Sequence, residues 1–384
     1  LTHETNGLVS VTDENLTVGS GTDQQISVAN AKLLAATTSG TVTSAIDTTE
    51  SVDSLKTLFD AGETHAYTIV ITADAGDATG STAEEFNKIN NATSVAVNMN
   101  TVTALTASGL SAVNTLALAV AGGQFSNGGN LTTVAISDNT IDATALATAI
   151  DNLDAINGGS STDMTLASGA TINVDANEIT HMLLDETENR LDITDQKITV
   201  TNDITAATAK LLAETTTGIV TATIANTERV SALKLLPAED NAFTIEIAAA
   251  DAGLATATEL NTIDAATTVA VNATAVTGLA SDDIDDTLTV LTAGNNVAKF
   301  TATSFSNLTS VVVADTTLDV ANLVNSIAQA VTATGKSTVG AGGPVFNITA
   351  ASTINGGDEA DFSSLLTHET NGLVSVTDEN LTVG

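Results

Sequence analysis

Short stretches in which apolar and polar residues alternate recur along this chain at intervals of about two dozen residues. Val42-Ser44-Ile46, Tyr67-Ile69-Ile71, Val95-Val97, Leu116-Leu118-Val120 and Val134-Ile136 mark the first part of the chain. Val220-Ala222-Ile224, Phe243-Ile245-Ile247, Val269-Val271, Leu288-Val290 and Val311-Val313 mark the second. A period of two puts the apolar side chains on one face, so each stretch reads as a short strand with one buried side.

Between many of these strands the period changes to that of a helix. In "TAEEFNKI" and "TATELNTI" a Thr stands three residues before a Glu, Thr82 with Glu85 and Thr256 with Glu259. This is the capping-box pattern, in which each side chain satisfies a backbone N–H that the first helical turn leaves without a partner. Phe86 with Ile89, and Leu260 with Ile263, then share a face. "DVANLVNSIAQAV" predicts a helix capped by Asp319 with Val320, Leu323, Val324, Ile327 and Val331 as its stripe. "DATALATAIDNL" repeats that design after Asp142, with Ala143, Leu146, Ala147 and Ile150.

One strand and one amphipathic helix cannot bury their own apolar faces; stacked on like units they can. The fold class expected is α/β: a parallel-stranded solenoid with short helices between strands, like a leucine-rich repeat without its strict consensus. The rival, a series of doubly wound domains, calls for longer elements and more varied loops.

The same grammar repeats at larger scale. "AKLLAATTSGTVTSAIDTTESVDSLKTL" from Ala31 returns as "AKLLAETTTGIVTATIANTERVSALKLL" from Ala209, and "NLTTVAISDNTIDATAL" from Asn130 returns as "NLTSVVVADTTLDVANL" from Asn307. "LTHETNGLVSVTDENLTVG" stands unchanged at residues 1–19 and 366–384, a period of 365 residues. The organisation expected is a tandem array, with residues 1–197 as a first half-repeat, 198–365 as a second, and 366–384 as the start of the next period. The identity fits both a covalent array and subunits joined head to tail, and the covalent array is the more economical reading.

Composition narrows the function. The chain carries 46 acidic and 10 basic residues, for a formal net charge of −36, and has no Cys or Trp, one Tyr and 43% hydrophobic residues, mostly small. Such an acid excess excludes nucleic acid as a partner, because phosphates call for Lys and Arg. It also disfavours anionic lipid surfaces and suits a protein kept soluble at high salt. No stretch reaches the ~20 apolar residues of a membrane span. Without Cys there are no disulfides, thiol nucleophiles or zinc–thiolate sites.

The Thr/Ala/Val/Asp texture of "TATELNTIDAATTVAVNATAVTGLASD" from Thr256, with its T-x-V-x-V-N-A-T core, resembles giant tandem-repeat cell-surface proteins of marine bacteria. That family includes a swimming-motility surface protein of unicellular cyanobacteria and the beta strand repeat-containing proteins. The resemblance implies an extracellular, cell-surface, fibrous protein with roles in motility or attachment, and it carries over no catalytic residues.

Candidate chemistry is sparse. His3, His65, His181 and His368 form no metal-binding H-x-x-x-H pattern and read as surface or turn residues. "GAGGP" from Gly340 reads as a turn. Calcium is the cofactor to consider, since hard cations take clustered carboxylate oxygens. "SDDIDDT" gathers Asp282, Asp283, Asp285 and Asp286, while "NGGSSTDM" and "NGGDEADF" add Asp163 and Asp358 with Asp361. Solvated acidic turns, with Gly supplying positive φ, account for the same residues. The function expected is a structural segment of a long extracellular filament or surface-layer fibre, without catalysis, whose partners are adjacent copies of the same repeat. The alternative is a calcium-dependent or glycan-binding adhesin stalk.

Overall fold

Every paired strand among the described residues of the computed structural model runs parallel to its neighbours, with helices in the connections between them. The structure describes residues 10–19, 24–59, 62–72, 81–126, 131–156, 162–238, 240–248, 255–281, 283–294, 299–301, 303–349, 352–376 and 379–382. The chain divides into two compact units, Leu1–Gln196 and Lys197–Gly384.

In the first unit the order is β1 (Leu16–Thr17), α1 (Val28–Ala35), β2 (Val42–Ala45), α2 (Val52–Leu55), β3 (Ala66–Thr68), α3 (Ala83–Asn91), β4 (Val97–Asn98) and β5 (Ala104–Ala107). It continues through α4 (Leu110–Ala121), β6 (Phe125–Ser126), β7 (Thr133–Ile136), β8 (Thr140–Asp142), α5 (Ala143–Ile156), β9 (Asp163–Leu166), β10 (Thr171–Val174) and α6 (Ile179–Thr187). The second unit holds β11 (Lys197–Val200), α7 (Ala206–Thr215), β12 (Val220–Thr223), α8 (Val230–Leu233), β13 (Ala242–Thr244), α9 (Ala257–Ala265) and β14 (Gly278–Ser281). There follow α10 (Ile284–Gly294), β15 (Ser310–Val313), β16 (Thr317–Asp319), α11 (Val320–Thr334), β17 (Val345–Ile348), β18 (Thr353–Asn355), α12 (Glu359–Thr370) and β19 (Asn380–Leu381).

The strands form small sheets, and no sheet of the described residues closes into a barrel. In the first unit β1–β2–β3, β5–β7–β9, β4–β6 and β8–β10 pair, and in the second β11–β12–β13, β14–β15–β17 and β16–β18–β19. Register stacks like on like: Leu105 beside Val134 beside Met164, and Leu279 beside Val311 beside Phe346, all buried. Parallel neighbours cannot be joined by a tight hairpin, which is why a helix-containing crossover separates most pairs.

Both capping boxes form as the sequence predicts, at Thr82 with Glu85 and Thr256 with Glu259. Asp319 caps α11 through Asn322 N–H at 3.0 Å. Two expected strands are helices instead. Leu116-Leu118-Val120 lies in α4, where Leu110, Val113, Leu116 and Ala117 are buried on one stripe and Leu118 faces solvent. Leu288-Val290 lies in α10, whose buried residues Ile284, Thr287, Val290 and Leu291 have helical spacing. Leu and Ala are strong helix formers, and an L-A-L-A alternation also fits a stripe spaced three and four apart, so the longer pattern decides. Val95 is exposed and only Val97 enters β4; Val269 lies outside a strand and Val271 makes a single bridge to Phe300.

Residues matched between the two units make matched bonds. The Thr93 hydroxyl donates to Tyr67 C=O at 2.6 Å, and Thr267 donates to Phe243 C=O at 2.7 Å. Asn87 reaches Ala112 C=O and Asn261 reaches Asp286 C=O. Lys56 pairs with Glu85 at 2.6 Å and Lys234 with Glu259 at 2.7 Å.

Candidate functional site

The acidic loop before α10 is continuous in sequence, but its carboxylates diverge. Asp282 lies outside the described residues. Asp283 Oδ1 accepts the Asp285 N–H at 2.8 Å, holding the entry to the helix. Asp285 and Asp286 occupy its first turn, where negative charge is favoured by the helix dipole. Successive residues on a helix point about 100° apart. Accordingly, Asp286 accepts the Thr258 hydroxyl of α9 at 2.6 Å, and Asp285 accepts the Asn322 amide of α11 at 2.5 Å. One carboxylate faces each neighbouring helix.

The other candidate acids also have local structural partners. Asp358 caps α12, its Oδ1 accepting Ala360 N–H at 2.8 Å and Asp361 N–H at 3.1 Å, while Asp361 Oδ2 accepts Asp358 N–H at 3.0 Å. Gly356 and Gly357 before it have φ of 71° and 67°, the left-handed turn expected of the Gly-Gly pair. Asp163 is an exposed residue that opens β9, opposite Thr133. Among the described residues no three His, Asp or Glu side chains converge as a metal-binding group.

A second use of acids gave no signal in the local sequence: carboxylates cap helices one turn of chain away. Glu50 Oε1 accepts the Val28 N–H at the start of α1 at 2.9 Å, and Asp138 Oδ2 accepts the Leu110 N–H at the start of α4 at 2.8 Å. α4 begins after Gly109, which has no side chain to cap it. The partner acid lies 28 residues on, beyond the reach of a pattern such as S-x-x-E. The spacing does equal about one cycle of the repeat, and that spacing is the signal that could have found it.

The histidines are not all superficial. His65 is buried, a correction to its reading as a surface or turn residue. Its Nδ1 accepts the Val42 N–H at 3.3 Å and its ring lies 5.3 Å from Tyr67, centroid to centroid. Asn241 stands in the matching place and its Oδ1 accepts the Val220 N–H at 2.9 Å. Imidazole and carboxamide thus perform one task, satisfying a ladder N–H inside the core. His368, on α12, is held below the usual histidine range by burial. His181 sits on α6, 4.0 Å from Asp185. His3 lies outside the described residues. "GAGGP" is the turn expected, with Gly342 at φ 80°.

Among the described residues a dense charge cluster surrounds Arg190, one of two arginines in the chain. Its guanidinium meets Asp154 at 2.9 Å, Asp185 at 2.7 Å, Glu188 at 2.9 Å and Asp151 at 3.8 Å. Burial pushes the Asp185 carboxyl up, against the pull of Arg190 and His181. Burial likewise raises Glu186, whose carboxylate accepts the Ile193 N–H at 2.7 Å. Among the described residues no helix is long and apolar enough to cross a membrane.

Set against known protein families, curated proteins and solved structures, the chain matches none.

Proposed function

We propose that this chain is a structural repeat segment of a long extracellular filament or surface-layer fibre, built by end-to-end continuation of a parallel-stranded solenoid, and that it performs no catalysis. The observation that carries this reading is the agreement between the two units: residues matched by the internal repeat make the same strand, hydroxyl and carboxamide bonds, each to the preceding or following cycle of chain. A module whose polar groups are satisfied by its neighbours along the chain gains stability from each added neighbour. The resemblance to marine cell-surface repeat proteins and the charge of −36 favour a seawater-exposed setting. Most of the acids described above act as helix caps, hydrogen-bond acceptors or ion-pair partners, a structural use.

Small-angle scattering and electron microscopy of chains with one, two and three 365-residue periods test the reading. With about seven cycles per half and ~4.8 Å between parallel strands, each period adds roughly 65–70 Å of length at constant width. Particles that grow in width as fast as in length sink it. The second reading, a calcium-dependent or glycan-binding adhesin stalk, draws on the same acid excess. It requires the melting temperature to rise on adding calcium and fall with EDTA.

A further inference from the structure

The nineteen residues present twice in this chain are seen with two different neighbours. In the first copy, β1 lies at the edge of its sheet and pairs with the strand that follows it, Leu16 beside Val42 and Thr17 beside Thr43. In the second copy, β19 lies at the edge of its own sheet and pairs with the strand that precedes it, Asn380 beside Thr353 and Leu381 beside Ile354.

The donors used in the two copies interleave. Leu16 and Val18 donate their N–H groups to Thr41 C=O at 3.0 Å and Thr43 C=O at 2.9 Å. Asn380 and Thr382, which correspond to Asn15 and Thr17, donate to Ser352 C=O at 3.1 Å and Ile354 C=O at 2.9 Å. Successive backbone groups of a strand face opposite edges, and in an interior parallel strand both edges are filled. Superposed, the two copies account for consecutive donors of one strand, alternately upstream and downstream.

We infer that this segment is the interior strand of the joint between one 365-residue period and the next, and that β19 takes Val42–Ala45 of a following copy as its second neighbour, with Leu381 beside Val42. The inference rests on the fibre reading and adds the partner strand and its register. Three further features fit the joint. Leu381 is 45% exposed, whereas Leu16, which has a downstream neighbour, is half-buried. Asn15 Oδ1 accepts the Thr41 N–H at 2.8 Å, and the exposed Asn380 carries the same carboxamide. A Cβ on Gly40 would lie 2.4 Å from Glu14 C=O, so glycine stands just before the receiving strand, where this segment's backbone comes too close for a side chain.

The test is a tandem chain of residues 1–384 followed directly by a second copy of 20–384, so that one nineteen-residue segment serves both periods. Amide hydrogen exchange compares it with the 384-residue protein. In the single chain Asn380 and Thr382 are protected and Leu381 is not. In the tandem chain Leu381 slows on the order of 100-fold, as an amide released only by local opening does. Since the protein has no Cys, Thr382→Cys with Thr43→Cys in the second copy gives a defined cross-link. It forms as readily as the Thr17→Cys/Thr43→Cys pair of the single chain, and Asn380→Cys in place of Thr382→Cys does not. Unchanged exchange at Leu381, or equal cross-linking of the two pairs, overturns the register. If scattering then still shows one length increment per period, the fibre reading survives alone; protection at Leu381 without added length leaves the pairing and removes the fibre.

Discussion

Near the close of each unit the same loop is built around opposite chemistries. In the first, Arg190 N–H donates to Asp185 C=O, Arg190 C=O accepts Met164 N–H, and the Glu186 carboxylate accepts Ile193 N–H. In the second, Leu373 N–H donates to His368 C=O, Leu373 C=O accepts Phe346 N–H, and the Glu369 carboxylate accepts Val376 N–H. Position by position, the first loop carries Asp185 and Arg190 where the second carries His368 and Leu373. The backbone and the glutamate brace are common to both turns, and the filling differs at both positions together. A buried ion pair is replaceable by apolar packing at little cost, whereas removing one member strands the other charge.

The largest effect expected from breaking that comparison follows directly. Arg190→Leu leaves Asp185 buried beside Asp154 and Glu188 without their common cation, and destabilises the first unit by about 3–5 kcal/mol. Changing both residues to their counterparts, Asp185→His with Arg190→Leu, returns most of the loss. Tyr67 is the one tyrosine of a chain without tryptophan, so its fluorescence during urea unfolding reports the first unit alone. Equal losses in the single and double variants refute the pairwise reading.

Next in size is the ladder N–H held by His65 in one unit and Asn241 in the other. His65→Ala and Asn241→Ala each orphan a buried donor, Val42 N–H or Val220 N–H, at about 1–3 kcal/mol. His65→Asn keeps the acceptor but gives up the ring contact with Tyr67, worth about 0.5–1.5 kcal/mol. Circular dichroism during denaturation ranks the three; a His65→Asn as damaging as His65→Ala shows that ring packing, not the hydrogen bond, is what the position supplies.

These contrasts also show what the sequence made legible. Both capping boxes and most of the alternating strands, such as Val42–Ala45, Val220–Thr223 and Ser310–Val313, are local patterns, and they read correctly. β8, β10, β16 and β18 are three or four residues long with a single fully buried Ile or Leu, or an Ile with one Val, too brief for alternation to stand out. The acidic run at Asp283, Asp285 and Asp286 suggested convergence, but a helix begins there and turns consecutive side chains toward different neighbours. The Arg190 cluster joins residues from α5, α6 and the loop beyond, and nothing in a one-dimensional reading ties Asp154 to Arg190.

A smaller effect separates the two loops by pH. Burial lowers the folded-state pKa of His368 below its ordinary 6.5, so between those values the unfolded chain binds more protons and stability falls as pH falls. Burial raises Asp185 above 3.8; there the folded chain binds more protons, and its contribution rises as pH falls. His368→Gln therefore flattens the loss just below pH 6.5 in the second unit, while Asp185→Asn removes a gain of opposite sign at lower pH in the first. Stability profiles of each variant, subtracted from the parent, carry these signs; like signs would contradict the assignment.

The smallest difference is Tyr67 against Phe243, matched in strand and burial. The Tyr67 hydroxyl lies 3.5 Å from Ala31 C=O, at the limit of a hydrogen bond, so Tyr67→Phe at neutral pH gives up little and also removes a polar group from the core. The net change is below about 1 kcal/mol. At high pH the comparison sharpens. Burial, with Glu63 adding to it, pushes the phenol up to about 12 from 10.0. Above pH 10 the unfolded chain gives up this proton while the folded chain keeps it, so the Tyr67 protein loses stability as pH rises toward 12. Tyr67→Phe does not share that loss. Melting curves followed by circular dichroism at pH 7 and at pH 11 thus expect near-identity at the first and a more stable Phe variant at the second; parallel curves at both would mean the hydroxyl reaches water in the folded protein.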